Sequence, residues 1–162
     1  MTASTRRVIT SRNEFQDALR DAFERAAAVG AREIWLCDAD YADWPLGERA
    51  VVDALTRWAH SRRRLTLIAH TFEEVARRHG RWTEWRRQWT QVVECRTNGE
   101  LEASQIPTLC LVSDVFSVRL SDVVRHRGMA SEEAADAVAC REAIDAVSQR
   151  SIEAFPATTL GL

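Results

Sequence analysis

Three short apolar runs, Glu33–Cys37 (E-I-W-L-C), Leu65–Ala69 (L-T-L-I-A) and Gln91–Arg96, alternate with helical periodicity through the first hundred residues. Runs this short fit strands buried on both faces better than core helices. Strands separated by helix-length crossovers join in parallel, and the crossovers return over the faces of the sheet. The pattern therefore predicts an α/β fold, a mostly parallel mixed sheet with helices on both faces. With 162 residues, 46% of them hydrophobic, the chain can build a sizeable core. No repeat or linker interrupts it, and residues 1–162 read as one domain.

The first helix is the most legible element. Ser11 and Glu14 form the Ser-x-x-Glu pattern of a capping box, and Phe15, Ala18, Leu19, Ala22, Phe23 and Ala26 follow at amphipathic spacing. Gly30 supplies the left-handed residue that ends it. A strand over Arg7–Thr10 precedes this helix, and a second helix covers Gly47–Ser61 with Val51, Leu55 and Trp58 on one face. Thr71-x-x-Glu74 repeats the capping pattern before a helix to His79; after Gly80, Trp82–Trp89 continues as helix. Asn98-Gly99 marks a turn. Thr108–Val112 and Val115–Leu120, with Ser113-Asp114 between them, fit either a tight hairpin or one long bent strand. Ser131 then opens an Ala-rich helix running to Phe155, with Ala134, Ala137, Val138, Arg141, Ile144 and Val147 on its main stripe. This ending adds antiparallel strands at a sheet edge.

All 22 basic residues are arginine. Without lysine the chain has no phosphate-binding P-loop and no Schiff-base or amine nucleophile. What remains is fixed charge and planar recognition of carboxylate or phosphate. The formal net charge of −2 dictates no polyanionic or membrane partner. Segment 57–96 is locally basic, with ten Arg against four Glu. No run approaches the ~18 apolar residues of a membrane span, and Met1–Thr10 lacks the apolar core of a signal peptide. Cys37, Cys95, Cys110 and Cys140 are widely spaced and read as reduced, buried thiols, which points to the cytoplasm.

Several residues could carry chemistry. Asp38-x-Asp40 follows a strand, where ligands of open α/β sheets gather, and two carboxylates there could hold Mg²⁺. His70 holds the matching place after the next strand and could complete an acid–base pair or a metal-dependent site. The alternative for the two aspartates is a solvated loop or a helix cap near Pro45, and for His70 a loop histidine bonded to backbone. Neither a nucleophile elbow nor a G-x-G-x-x-G motif is present, so no cofactor is expected. Arg77–Trp89 interleaves five arginines with Trp82, Trp85 and Trp89, the residue types of single-stranded nucleic-acid platforms. The i, i+3, i+7 spacing of those tryptophans equally describes one buried helix face. Arg81, next to Gly80, is the arginine best placed to meet an anion.

The order strand-loop-Trp-helix, then a helix ending in His79-x-Arg81, then V-S-D-x-F-S-V-R-L (Val112–Leu120) and a long closing helix, resembles one half of the phospholipase D-like fold. The likeness covers about residues 6–156 and is nearest to uncharacterised bacterial domains of that type. Active members carry His-x-Lys-x₄-Asp, whose histidine attacks phosphorus, and pair two halves about a two-fold axis. Aligning the acid with Asp114 puts Pro107 at the histidine and Leu109 at the lysine, and neither can replace them. Ser113 and Ser117 remain nearby. The resemblance thus implies a catalytically empty homodimer that acts as a binding or regulatory module on a scaffold that keeps an anion or phosphate pocket; the ligand-binding candidates in this chain are Asp38, Asp40, His70, Arg81 and Asp114.

Overall fold

A computed structural model describes residues 5–113 and 115–156. The apolar runs are its central strands: β2 (Glu33–Cys37), β3 (Arg64–Ala69) and β4 (Val93–Thr97) lie parallel and adjacent. Around them β1 (Arg6–Ile9), β5 (Thr108–Val112), β6 (Phe116–Asp122), β7 (Arg127–Ser131) and β8 (Ile152–Glu153) complete an eight-stranded sheet, in the order β1-β7-β6-β5-β2-β3-β4-β8.

The expectation of a mostly parallel sheet is corrected. Among the described residues five of the seven strand pairings are antiparallel, and only β2–β3 and β3–β4 are parallel. The reason lies in the connections. Helical crossovers link β2, β3 and β4, whereas β5, β6 and β7 follow one another through short turns that can only reverse the chain. The β-rich stretch is accordingly a hairpin, with Val112 paired to Phe116.

Helices cover both faces unequally. On one face lie α1 (Arg12–Val29), α2 (Arg49–Trp58), α3 (Glu73–Arg78) and α4 (Gly80–Gln88), joined to the inward side chains of the sheet in one apolar core. The other face carries α5 (Ala134–Ser148), which packs Cys140, Ile144 and Val147 onto Cys37, Ile68, Leu109 and Leu111. The six predicted stripe residues of α1 are all buried, the Ser11 hydroxyl accepts from the Glu14 amide, and Gly30 closes the helix at φ 66°. Glu14 reaches back one residue further than a capping box requires, accepting from the Thr10 amide at 2.8 Å.

Other boundaries differ from the sequence reading. Thr71 and Glu74 do not box the N-terminus of α3: Thr71 accepts from the Glu73 amide, while Glu74 is held by Arg77 and Arg78. Strand β7 was not foreseen, and Ser131 ends it instead of capping α5. Helix α5 stops at Ser148, well short of Phe155. Arg96 donates to the Ser151 hydroxyl and carbonyl at 2.7 Å each, and Asn98 takes up the Val147 carbonyl at 2.9 Å. Those bonds satisfy chain ends that would otherwise continue the helix. The stripe of α5 is also rotated: Val138 is 58% exposed, and Cys140 takes the buried place. Arg141 lies over the Trp35 ring, 5.5 Å from its centroid, which explains a charge on that stripe. All four cysteines are buried and unpaired, and no helix among the described residues is long and apolar enough to cross a membrane.

Candidate ligand-binding site

The carboxyl ends of β2 and β3 do come together, but their side chains serve different ends. Asp38 is 7% exposed and accepts from the Thr108 hydroxyl, the Tyr41 amide at 2.8 Å and the Asp40 amide at 3.3 Å. Burial raises its pKa, and those three donors oppose the shift. Its bonds fold the loop so that Tyr41 adopts φ 60°, a left-handed conformation rare outside glycine. The Tyr41 carbonyl accepts from His79 Nε2 at 2.8 Å and its hydroxyl donates to the Ile68 carbonyl at 2.7 Å. Both oxygens of Asp38 are thus engaged in holding the β2–α2 loop.

The remaining candidates disperse. Asp40 accepts from the Ala42 amide at 3.0 Å. His70 is exposed and lines a shallow groove with Phe72, Thr97 and Phe155. Arg81, also exposed, donates to the Gly47 carbonyl at 2.7 Å and so ties α4 to the loop before α2. Asp114 lies outside the described residues. Among the described residues no three His, Cys, Asp or Glu side chains are grouped to hold a metal ion. The Arg/Trp segment has its tryptophans turned inward: Trp82 and Trp85 are 0% and 5% exposed and belong to the core, out of reach of a stacking base. Its arginines are largely bound within the protein, Arg77 and Arg78 to Glu74 and Arg87 to Glu84.

A different place gathers polar side chains, two of them guanidinium groups. Helix α5 covers only the middle of its face and leaves the β6, β7 and β1 end open. There a cavity of about 440 Å³ lies between those strands and the flank of α5. Arg119, Arg127, Ser117 and Ser121 supply its polar lining, with Val8, Met129 and Cys140 among the apolar walls. Neither guanidinium has an ion pair or hydrogen bond among the described residues. The one carboxylate, Asp136, is already taken by Arg6 at 2.8 Å and Ser131 at 2.5 Å, which hold its pKa down. Arg119 also carries its positive charge to Cys140, where it opposes the rise that burial imposes on the thiol.

The strand register places Leu109 beside this cavity. Leu109 of β5 pairs with Arg119 of β6, so their side chains share a face. Leu109 is fully buried beneath Cys140, Ile144 and Val147, and Arg119 stands beside it at the edge of the helix. Sequence reading missed Arg127 because β7 was unseen, and Arg119 because nothing along the chain shows that α5 leaves its strand uncovered. The one available signal was the alternation Ser117, Arg119, Ser121 within a β-rich run, a polar face where a covered strand would be apolar.

No family model matches the sequence, and no curated protein matches it either. Solved structures do share the fold. TrmBL2, described as an archaeal chromatin protein whose structure "shows a novel mode of DNA binding", superimposes with a TM-score of 0.64 at 12% identity, over 95% of this chain and 55% of that one. NucT from Helicobacter pylori superimposes with a TM-score of 0.59 at 10% identity, over 92% of this chain and 98% of that one. The chain therefore spans about half of TrmBL2 and nearly all of NucT. At such identities the likeness is one of architecture, an α/β fold with a mixed sheet between helices.

Proposed function

We propose that this protein is a non-catalytic binding module on a phospholipase D-like scaffold, and that its open-face cavity takes a small phosphate-bearing ligand through Arg119 and Arg127. One observation carries the reading. The position of the family's lysine is a leucine sealed under α5, while the residue paired with it across the strands is an unpartnered arginine lining a cavity. A guanidinium can fork onto phosphate oxygens but cannot shuttle a proton at neutral pH. With proline at the histidine position there is no nucleophile to attack phosphorus. Binding survives in such a site; turnover does not.

Calorimetric titration with p-nitrophenyl phosphate tests this. Arg119→Ala should weaken binding about 10- to 100-fold, the scale of a lost charge-assisted hydrogen bond, and Arg127→Ala, at an exposed position, should do less. Neither enzyme-like release of nitrophenol from the bis-ester nor its loss in Asp114→Ala is expected. Clear hydrolysis that depends on Asp114 would refute the reading.

A nucleic-acid partner is the second reading. It draws support from the DNA binding described for TrmBL2 and from the basic segment 57–96. With Trp82 and Trp85 in the core, contacts would fall on phosphates, giving affinity that drops steeply with salt. An oligonucleotide titration at low salt without binding ends it. The resemblance also implies two-fold pairing, and the open end offers Val8, 60% exposed on edge strand β1. Light scattering is expected to give twice the 18.4 kDa of one chain; a mass of one chain at micromolar concentration removes the homodimer. Four buried, free thiols suit a reducing compartment, and we place the protein in the cytoplasm.

A further inference from the structure

Segment 57–96 owes its basic character to ten arginines, and nearly all of them are committed within the protein. Arg57 is paired with Glu24, Arg64 and Arg96 with Glu94, Arg77 and Arg78 with Glu74, and Arg87 with Glu84. Arg63 donates to the Trp58 carbonyl, Arg81 to the Gly47 carbonyl, and buried Arg86 to the Cys95 sulfur. Among the described residues the Arg62 guanidinium alone of the ten has neither an ion pair nor a hydrogen bond. A paired arginine and its carboxylate present little net charge to a distant anion, so the uncompensated charge of the segment gathers at Arg62.

Arg62 is exposed in the tight turn between α2 and β3, which the Arg63 amide closes onto the His60 carbonyl at 3.0 Å. The Arg64 amide donates to the Arg32 carbonyl at 3.0 Å and so draws the residue before β2 alongside that turn. Arg32 is also exposed, and its guanidinium also lacks a partner among the described residues. Both line a hollow of about 290 Å³ at the amino end of β2 and β3, together with Arg63 and Arg64. The register puts Arg64 with Glu33 on the α5 face, whereas the Arg63 guanidinium lies over Gly30. The fixed charge therefore wraps the end of the sheet. The one acid of the lining, Glu33, accepts from Trp35 Nε1 at 2.8 Å and lies 3.7 Å from Arg141. Trp58, the ring preceding the turn, is fully buried with its indole N–H on the Ala31 carbonyl at 2.7 Å, so it offers no face to an unpaired base.

We infer that the amino end of β2 and β3 binds the phosphate backbone of duplex DNA through Arg32 and Arg62, without reading its sequence. The inference rests on the nucleic-acid reading above and moves its contact surface away from Arg77–Trp89. Phosphate contacts position a duplex but carry no sequence information. Each one makes log affinity fall against log salt with a slope of about −0.9. Fluorescence anisotropy with a duplex of about 20 base pairs, titrated between about 50 and 200 mM salt, reads that slope. Arg32→Ala and Arg62→Ala should each flatten it by about 0.9. Each should also weaken binding about fivefold at low salt, and the double variant about 25-fold. Arg62→Lys should restore the slope, because a point charge suffices for a backbone contact. Arg87→Ala, in the same segment but paired with Glu84, should bind as wild type does. A single strand of equal length should bind no more tightly than the duplex. Failure of the wild type to bind any duplex at low salt would end this inference and the nucleic-acid reading together. Binding whose slope survives the double variant, or is flattened equally by Arg87→Ala, would overturn the inference alone.

Discussion

Gly128→Ala is expected to destabilise the protein by about 3 kcal/mol or more, the upper part of the range for forced overpacking, and to lower Tm by about 6–12 °C for a chain of this size. A Cβ at Gly128 would stand 2.0 Å from the Arg119 carbonyl oxygen and 2.7 Å from the Leu120 Cα. Both are backbone atoms, so no rotamer change relieves the clash and β6 must part from β7. The contact lies where the β6–β7 register shifts between Leu120 and Asp122, the kind of place where a strand glycine permits close backbone approach. Gly99→Ala is the control: its Cβ meets nothing within 4 Å and should change stability by less than about 0.5 kcal/mol. The affected strand carries Arg119, so Gly128→Ala should also weaken the phosphate-bearing ligand at temperatures where the variant remains folded. Thermal melts of the two glycine variants alike to wild type would show that the strands do not approach this closely.

Asp38→Ala should cost about 4 kcal/mol, because it orphans at least two buried donors, each worth about 1–3 kcal/mol unsatisfied. Those donors are the Tyr41 amide and the Thr108 hydroxyl. Without the Asp38 acceptor, Tyr41 also loses one of the bonds that hold its left-handed backbone, and the link between the β2–α2 loop and β5 goes with it. Asp38→Asn keeps the shape and gives a pH test. Burial raises the folded-state pKa of Asp38 above its ordinary value. The contribution of this carboxyl is therefore complete below that ordinary value and declines as pH rises through the raised one. The cost of Asp38→Asn should be largest in acid and shrink towards neutrality, measured by urea unfolding. A cost that grows with pH would mean that the hydrogen bonds outweigh burial. Loss of ligand binding without loss of stability in Asp38→Ala would make it a binding residue after all.

These two residues explain why the candidate site was only partly legible. The Asp38-x-Asp40 pair does follow the end of β2, as the order of residues indicates. What its carboxylate does depends on Thr108, seventy residues away, and on Tyr41 bending into the left-handed region. Spacing along the chain reports neither. Arg119 and Arg127 were passed over for a related reason. Their significance comes from β6 and β7 lying beside an incomplete helical cover, and β7 lacks the apolar run that marks a strand buried on both sides.

Local sequence sufficed wherever one residue's environment comes from its own helix or strand. The α1 stripe, its Ser11 cap and Gly30 stop, and the apolar runs of β2 and β3 were all fixed by side-chain periodicity, which is a short-range property. The direction of the outer strands, the end of α5 and the rotation of its buried face required the assembled molecule. Each depends on partners distant in sequence, the β5–β6–β7 turns, the Arg96 and Asn98 bonds, and the sheet surface that receives Cys140. Pairing and packing energies between remote segments settle such choices, and a linear pattern carries no record of which segments will meet.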